Sequence, residues 1–310
     1  MIIFDAHCDT VTEIEKSKQS LYRNNHHVDI CRMQKYKGFV QMFALWIAPQ
    51  YYCAPLKRAM LLLENLHAQI KTYNQHITLV TNYNEACTAL KHKKIAAFIS
   101  IEGGEALEKD LNTLEKLYHL GVRSICLTWN NQNALGASAV CKNARQGLTD
   151  FGKKVVREMN RLKMLVDVSH LSAAGFWDVL TVTTQPIIAS HSNAKNICPH
   201  LRNLSNDQFK AIVKNKGMVG INFYTSFLTT NEVATVLDIV KHIEHYMALG
   251  GENHIGLGCD YDGMDHLPKG IEGIEHIETV LNTLLKSNYT EKQVKKIAGN
   301  NFIKFIKKNL

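Results

Sequence analysis

The stretch Met164-Leu-Val-Asp-Val-Ser-His170, with Pro186-Ile-Ile-Ala-Ser-His191 shortly after it, decides how this chain folds. Met164 to Val168 and Pro186 to Ala189 are apolar runs of strand length, and Ala173 to Leu180 between them has helical periodicity. Strand, helix and strand in that order give two parallel neighbours joined by a right-handed crossover. Working outward, the same alternation recurs. Further strand-like runs are Ile2 to Phe4, Val40 to Ala44, Ile95 to Ile101, Val122 to Leu127, Met218 to Phe223 and His254 to Cys259, which makes eight in all. Amphipathic helical stretches fall at Leu56 to Tyr73, Leu107 to His119, Asp150 to Lys163, Ser205 to Lys214 and Ala234 to Leu249, with two more, Ile271 to Lys286 and Glu291 to Lys308, after the last strand. Eight near-continuous apolar strands alternating with helices predict an α/β fold of the closed (β/α)8 TIM barrel type rather than an open sheet.

Composition agrees with one large core. The chain has 310 residues, 45% hydrophobic and 21% charged, with 18 Gly and 5 Pro, which excludes disordered and collagen-like architectures. No linker, repeat or long charge run marks a boundary, so residues 1–310 are read as a single catalytic barrel domain. Tyr51 to Asn84 is longer than one crossover needs and is expected to hold an extra helix. No apolar run approaches the roughly 18 residues of a membrane span. The N-terminus lacks a basic region, a long apolar stretch and a cleavage site, so no signal peptide is read there. The 8 cysteines are scattered without a Cys-x-x-Cys pair, which points to reduced thiols and a cytoplasmic location. The net charge of +8 comes from lysines on helix faces, without the arginine and aromatic pattern of a nucleic-acid surface. Neither a membrane nor a nucleic acid is an expected partner.

Barrel enzymes carry their chemistry at the C-terminal ends of the strands. There the sequence places His7-Cys8-Asp9, Glu102-Gly103-Gly104, Ser169-His170, His191-Ser192 and Cys259-Asp260-Tyr261-Asp262-Gly263. His7 and Asp9, two apart on extended backbone, point to one side. Glu102 ends an apolar run where an unpaired carboxylate is costly to bury. A lone strand-end histidine is more often a hydrogen-bonded core residue, but His170 and His191 repeat Ser-His at one depth on neighbouring strands. Imidazole and carboxylate donors together suit Zn²⁺, ahead of Mn²⁺, Fe²⁺ or Co²⁺. Three His, one Asp and one Glu exceed what one catalytic zinc with an open position takes, and suit two ions sharing a carboxylate. Such a pair can trap a hydroxide, polarise a carbonyl and hold an oxyanion, which equips a site for amide hydrolysis. Asp260 is the candidate proton carrier.

Eight segments in order then carry a resemblance. They are Phe-Asp-Ala-His-Cys-Asp-Thr (4 to 10), Ser-Ile-Glu-Gly-Gly (100 to 104), Gly-Leu-Thr-Asp-Phe-Gly (147 to 152), Val-Asp-Val-Ser-His (166 to 170), Ser-His-Ser-Asn-Ala (190 to 194), Arg-Asn-Leu (202 to 204), Gly-Cys-Asp-Tyr-Asp-Gly (258 to 263) and Gly-Asn-Asn-Phe (299 to 302). Together they resemble the membrane (renal) dipeptidase family, zinc peptidases of the amidohydrolase superfamily. The resemblance implies a dipeptidase with two zinc ions per subunit: His7 and Asp9 on one, His170 and His191 on the other, Glu102 bridging. It also implies that Asp260 handles the proton of the attacking water, that Arg202 binds the substrate's terminal carboxylate, and that the protein forms a homodimer. Under this reading the C-terminal residue of the dipeptide is of D as well as L configuration. The family has a His after the Leu-Thr of the fourth strand, implied to contact the scissile carbonyl oxygen, whereas this chain reads Leu127-Thr128-Trp129-Asn130. Trp129 and Asn130 are therefore the candidate substrate-contacting donors. The change keeps open another amide substrate, an N-acyl amino acid or a β-lactam, and a weakly active peptide-binding barrel.

Overall fold

A computed structural model describes all 310 residues. The strands are β1 (Ile2–Cys8), β2 (Gly38–Trp46), β3 (Ile77–Leu79), β4 (Ile95–Glu102), β5 (Val122–Cys126), β6 (Leu165–Asp167), β7 (Ile188–Ala189), β8 (Met218–Ile221) and β9 (Ile255–Leu257). All pair in parallel, in the order β2-β1-β9-β8-β7-β6-β5-β4-β3, and β2 also pairs with β4 along Val40 to Trp46. That last pairing closes a ring of eight strands and leaves β3 outside it, hydrogen-bonded to the first residues of β4. The fold is the (β/α)8 barrel read from the sequence, and each of the eight predicted runs contributes one strand of the ring.

Alternation along the strands separates two cores. One face packs beneath the surrounding helices in a cluster of 70 buried residues. A second cluster of 15, including Phe4, Val40, Met42, Ala96, Phe98, Leu165, Ile188 and Met218, is capped by Phe302, whose ring stacks on Phe4 with centroids 4.9 Å apart. Glu102 keeps the alternation of Ala96 and Phe98, so it faces the same way but at the opposite, C-terminal end of β4.

Four elements differ from expectation. The stretch 51–84 holds the helix read at Leu56 to Tyr73 (Pro55–Thr72) and then β3, a three-residue strand too short to announce itself, in place of the extra helix expected there; a further helix, Tyr83–Lys91, begins at its last two residues and runs beyond it. That helix buries only Ala86 and Ala89, a stripe too weakly apolar to register as periodic. Thr10–Ser17 forms a further short helix, directly after the first rim. The continuous helix expected over 291–308 is broken into Glu291–Lys295 and Asn301–Asn309 by a kinked turn at Lys296–Asn300. No helix is long and apolar enough to cross a membrane.

Candidate metal centre at the barrel mouth

The ends of β1, β4, β6, β7 and β9 bring His7, Asp9, Glu102, His170, His191 and Asp260 together, all buried. The pairing of β1 with β2 slips between Asp5 and Cys8, which turns His7 out of simple alternation and into the mouth. His170 and Asp260 sit in the left-handed region, at φ 67° and 63°. Non-glycine residues adopt it at a cost, and such strain concentrates where side chains are aimed for function. Gly263 completes the packing by size: a Cβ there would stand 2.3 Å from Asp9 Oδ2 and 2.6 Å from Asp260 Oδ1.

Hydrogen bonds fix the tautomers. His170 Nδ1 lies 2.9 Å from the Asn130 Oδ1 acceptor, so it carries the proton. Ser190 Oγ donates to Asp167 Oδ2, so its oxygen accepts from His191 Nδ1, at 2.7 Å. Asp167 also accepts the backbone N–H groups of Ser169 and Ser190, both at 3.0 Å, which locks the ends of β6 and β7 together. Both Nε2 atoms are thereby left as lone pairs, 2.9 Å apart, and Glu102 Oε1 lies 2.9 Å from His170 Nε2 and 3.5 Å from His191 Nε2. Three acceptors converge with no hydrogen between them. The other Glu102 oxygen turns to His7, whose Nε2 is 3.6 Å from Oε2, 3.4 Å from Asp9 Oδ2 and 3.7 Å from Asp260 Oδ1. His7 Nε2 and Asp9 Oδ1 are buried without a hydrogen-bond partner. Buried polar atoms left without a partner are costly, and a cation among them removes the cost. Two groups that could hold an ion, His7–Asp9–Glu102 and Glu102–His170–His191, thus share one carboxylate, and a third, His7–His191–Asp260, overlaps both.

The electrostatics lean the same way. Burial opposes charge on His7, yet Glu102 and Asp9 outweigh it and hold the imidazole well above its usual range. Burial, with Arg202 nearby, pushes His170 down to about 4, and His191 is lowered well below its usual range by burial and by His7. Burial pushes Asp260 up to about 6 although His7 pulls it back. Asn222 Nδ2 donates to Asp260 Oδ2 at 2.7 Å and fixes the carboxylate's orientation.

Above the cluster opens a cleft of about 690 Å³, lined by Asp9, Glu102, Trp129, His170, Arg202 and Asp260 among others, with His7 and His191 buried beneath it. Arg202 is buried over the Phe227 ring, and its Nε and Nη2 have no partner. Asn130 also lines the cleft, but its Oδ1 is committed to His170. The sequence reading passed over Asp167, Ser190, Asn222 and Trp46. Asp167 left a trace as a carboxylate inside the apolar Val-Asp-Val; Trp46 fell just beyond a strand read as ending at Ala44.

The profile of the membrane dipeptidase family, peptidase family M19, matches residues 1–309. Among solved structures the chain is similar to a metallopeptidase of family M19 described as dipeptidase AC, at 25% identity and a TM-score of 0.93 over 100% of this chain and 98% of that one. It shares its fold with a metallopeptidase from Rhodobacter sphaeroides liganded with a phosphinate mimic of the dipeptide L-Ala-D-Ala (24% identity, TM-score 0.91, 100% and 99% covered). It likewise shares it with an amidohydrolase from Pseudomonas aeruginosa (22% identity, TM-score 0.84, 98% and 95% covered). A match along the whole barrel, on a mouth built of metal-capable donors, places this chain in the membrane dipeptidase family, M19, as a peptide-bond hydrolase.

Proposed function

We propose that the whole chain, as one catalytic domain, hydrolyses dipeptides with two divalent cations, zinc by the nature of the donors. His7 and Asp9 would hold one, His170 and His191 the other, and Glu102 both. The observation that carries this reading is the division of the Glu102 carboxylate, Oε2 toward His7 and Oε1 toward the two strand-end imidazoles. When bound, such a pair supplies Lewis-acid polarisation of a carbonyl and a lowered pKa for water.

The remaining work falls to side chains. Arg202, desolvated and with two free donor nitrogens, suits a bidentate grip on the substrate's terminal carboxylate. Asp260, aimed by Asn222, takes the proton as the water oxygen bonds to the scissile carbonyl carbon, and returns it to the nitrogen as the C–N bond breaks. Trp129 supplies an indole where the resemblance implies a His, and Asn130 is assigned to orienting His170 rather than to the oxyanion. Dipeptide substrates are supported by family membership and by the dipeptide mimic held by the Rhodobacter protein.

The test is hydrolysis of L,L and L,D dipeptides, each beside its N-acetylated counterpart, by protein loaded with two equivalents of zinc. Cleavage of the free dipeptides alone is expected. Cleavage of only the blocked set would move the site to N-acyl amino acids, and no cleavage of either would overturn the reading.

A further inference from the structure

Arg202 and Trp46 stand on opposite sides of the mouth. In the closed ring β2 and β7 are four places apart in either direction; Trp46 ends β2, in register with Glu102, and Arg202 lies in the loop after β7. The metal-capable cluster lies between them. A substrate whose carboxylate is held by Arg202 and whose scissile carbonyl reaches that cluster must therefore extend its N-terminal residue toward β2.

What it meets there is a pair of indole rings. Glu102 is followed by Gly103 and Gly104, and the space that a Gly103 side chain would fill, between β2 and β5 on either side of β4, is taken by the Glu105 carboxylate. Across that gap the rings of Trp46 and Trp129 approach to 5.1 Å between centroids, inclined at 58°. The Trp129 ring is 6.3 Å from that of His170, which places this wall beside the cluster rather than at the outer rim. Val140, 37% exposed, lines the same cleft. Charged groups such as Glu13 and Lys16 enter the cleft from the helix after β1.

We infer that Trp46 and Trp129, with Val140, form the subsite for the N-terminal side chain of the substrate, and that it selects large apolar residues. The inference rests on the dipeptidase reading above, which sets the substrate's direction. A branched or aromatic side chain leaving water for two indole faces gains in proportion to the apolar area it buries, whereas a charged group there loses hydration that an indole N–H replaces only in part.

The zinc-loaded protein is assayed on Xaa-Ala dipeptides with Gly, Ala, Leu, Phe, Asp or Lys leading. We expect kcat/KM to rise about tenfold or more from Ala to Leu or Phe. Trp46→Ala should collapse the Phe-to-Ala ratio toward unity, and Trp46→Phe should keep most of it. Binding is read separately by intrinsic fluorescence of the metal-free protein, whose third Trp, Trp177, is 44% exposed on a helix away from the cleft. Leu-Ala should change the emission at concentrations where Gly-Ala does not, a readout that survives if the Trp46 variants fail to fold. Hydrolysis at equal kcat/KM whichever residue leads, or a preference for Asp or Lys, overturns this inference alone. Failure to cleave any free dipeptide overturns the dipeptidase reading instead.

Discussion

His191 can bind a cation through Nε2 only in the tautomer that carries its proton on Nδ1, and Ser190 enforces that tautomer because its own hydroxyl proton is committed to Asp167. Ser190→Ala removes the acceptor, frees the ring to flip, and is expected to weaken metal retention by about 10- to 100-fold in chelator competition. Asp260→Asn should behave oppositely, losing on the order of 10²-fold or more in kcat while holding the metals with near wild-type affinity. Unchanged turnover in that variant would remove Asp260 from the proton path. The six residues of the cluster are legible in the sequence because each stands at or shortly past the end of an apolar run, and a polar side chain in that place needs a reason. The residues that orient them are not. Asn222 and Ser190 are ordinary polar residues until β6, β7, β8 and β9 are set side by side, and only then do their partners come within reach.

At the scale of elements, the kink in the last helix explains a motif that carries no chemistry. Gly299 has extended backbone, φ 179°, and a Cβ there would stand 2.8 Å from the Ile2 carbonyl oxygen and 2.9 Å from Phe4 N. Asn301 Nδ2 then donates to the carbonyls of Glu252 and Ile255 at 2.9 and 2.8 Å, and Phe302 stacks on Phe4. Gly-Asn-Asn-Phe thus seals the barrel floor at the end away from the metal-capable cluster. Gly299→Ala forces backbone apart and should cost about 1–3 kcal/mol, seen as a lower urea midpoint with unchanged slope. Metal content of the folded variant should match wild type; loss of metal would mean that floor and mouth are coupled. Helical periodicity over 291–308 is real on either side of the break, so the sequence pattern alone reads straight through it. The break arises from close approach to β1, a contact between the two ends of the chain.

Across the whole molecule, eight apolar runs determine the ring, whereas the ninth strand and two short helices lack enough buried apolar surface to show in one dimension. Long-range ties close the structure, among them His242, which accepts the Ala194 N–H at Nδ1 and donates from Nε2 to the Leu228 carbonyl. Burial lowers its pKa from 6.5 to about 4, despite the opposing Leu228 bond. The folded state therefore holds fewer protons there than the unfolded state as pH falls. The contribution is complete above pH 6.5 and shrinks toward pH 4, a loss of about 3 kcal/mol. Urea titrations from pH 7.5 to 4 should show a steeper decline in wild type than in His242→Gln, whose amide can make both bonds without titrating. The proposed hydrolysis depends on two ions sharing Glu102. Anomalous diffraction at the zinc edge, from crystals grown with zinc, should show two peaks per chain, one beside His7 and Asp9 and one beside His170 and His191, each about 2.0–2.2 Å from a Glu102 oxygen. A single peak, or two that do not share Glu102, would contradict it.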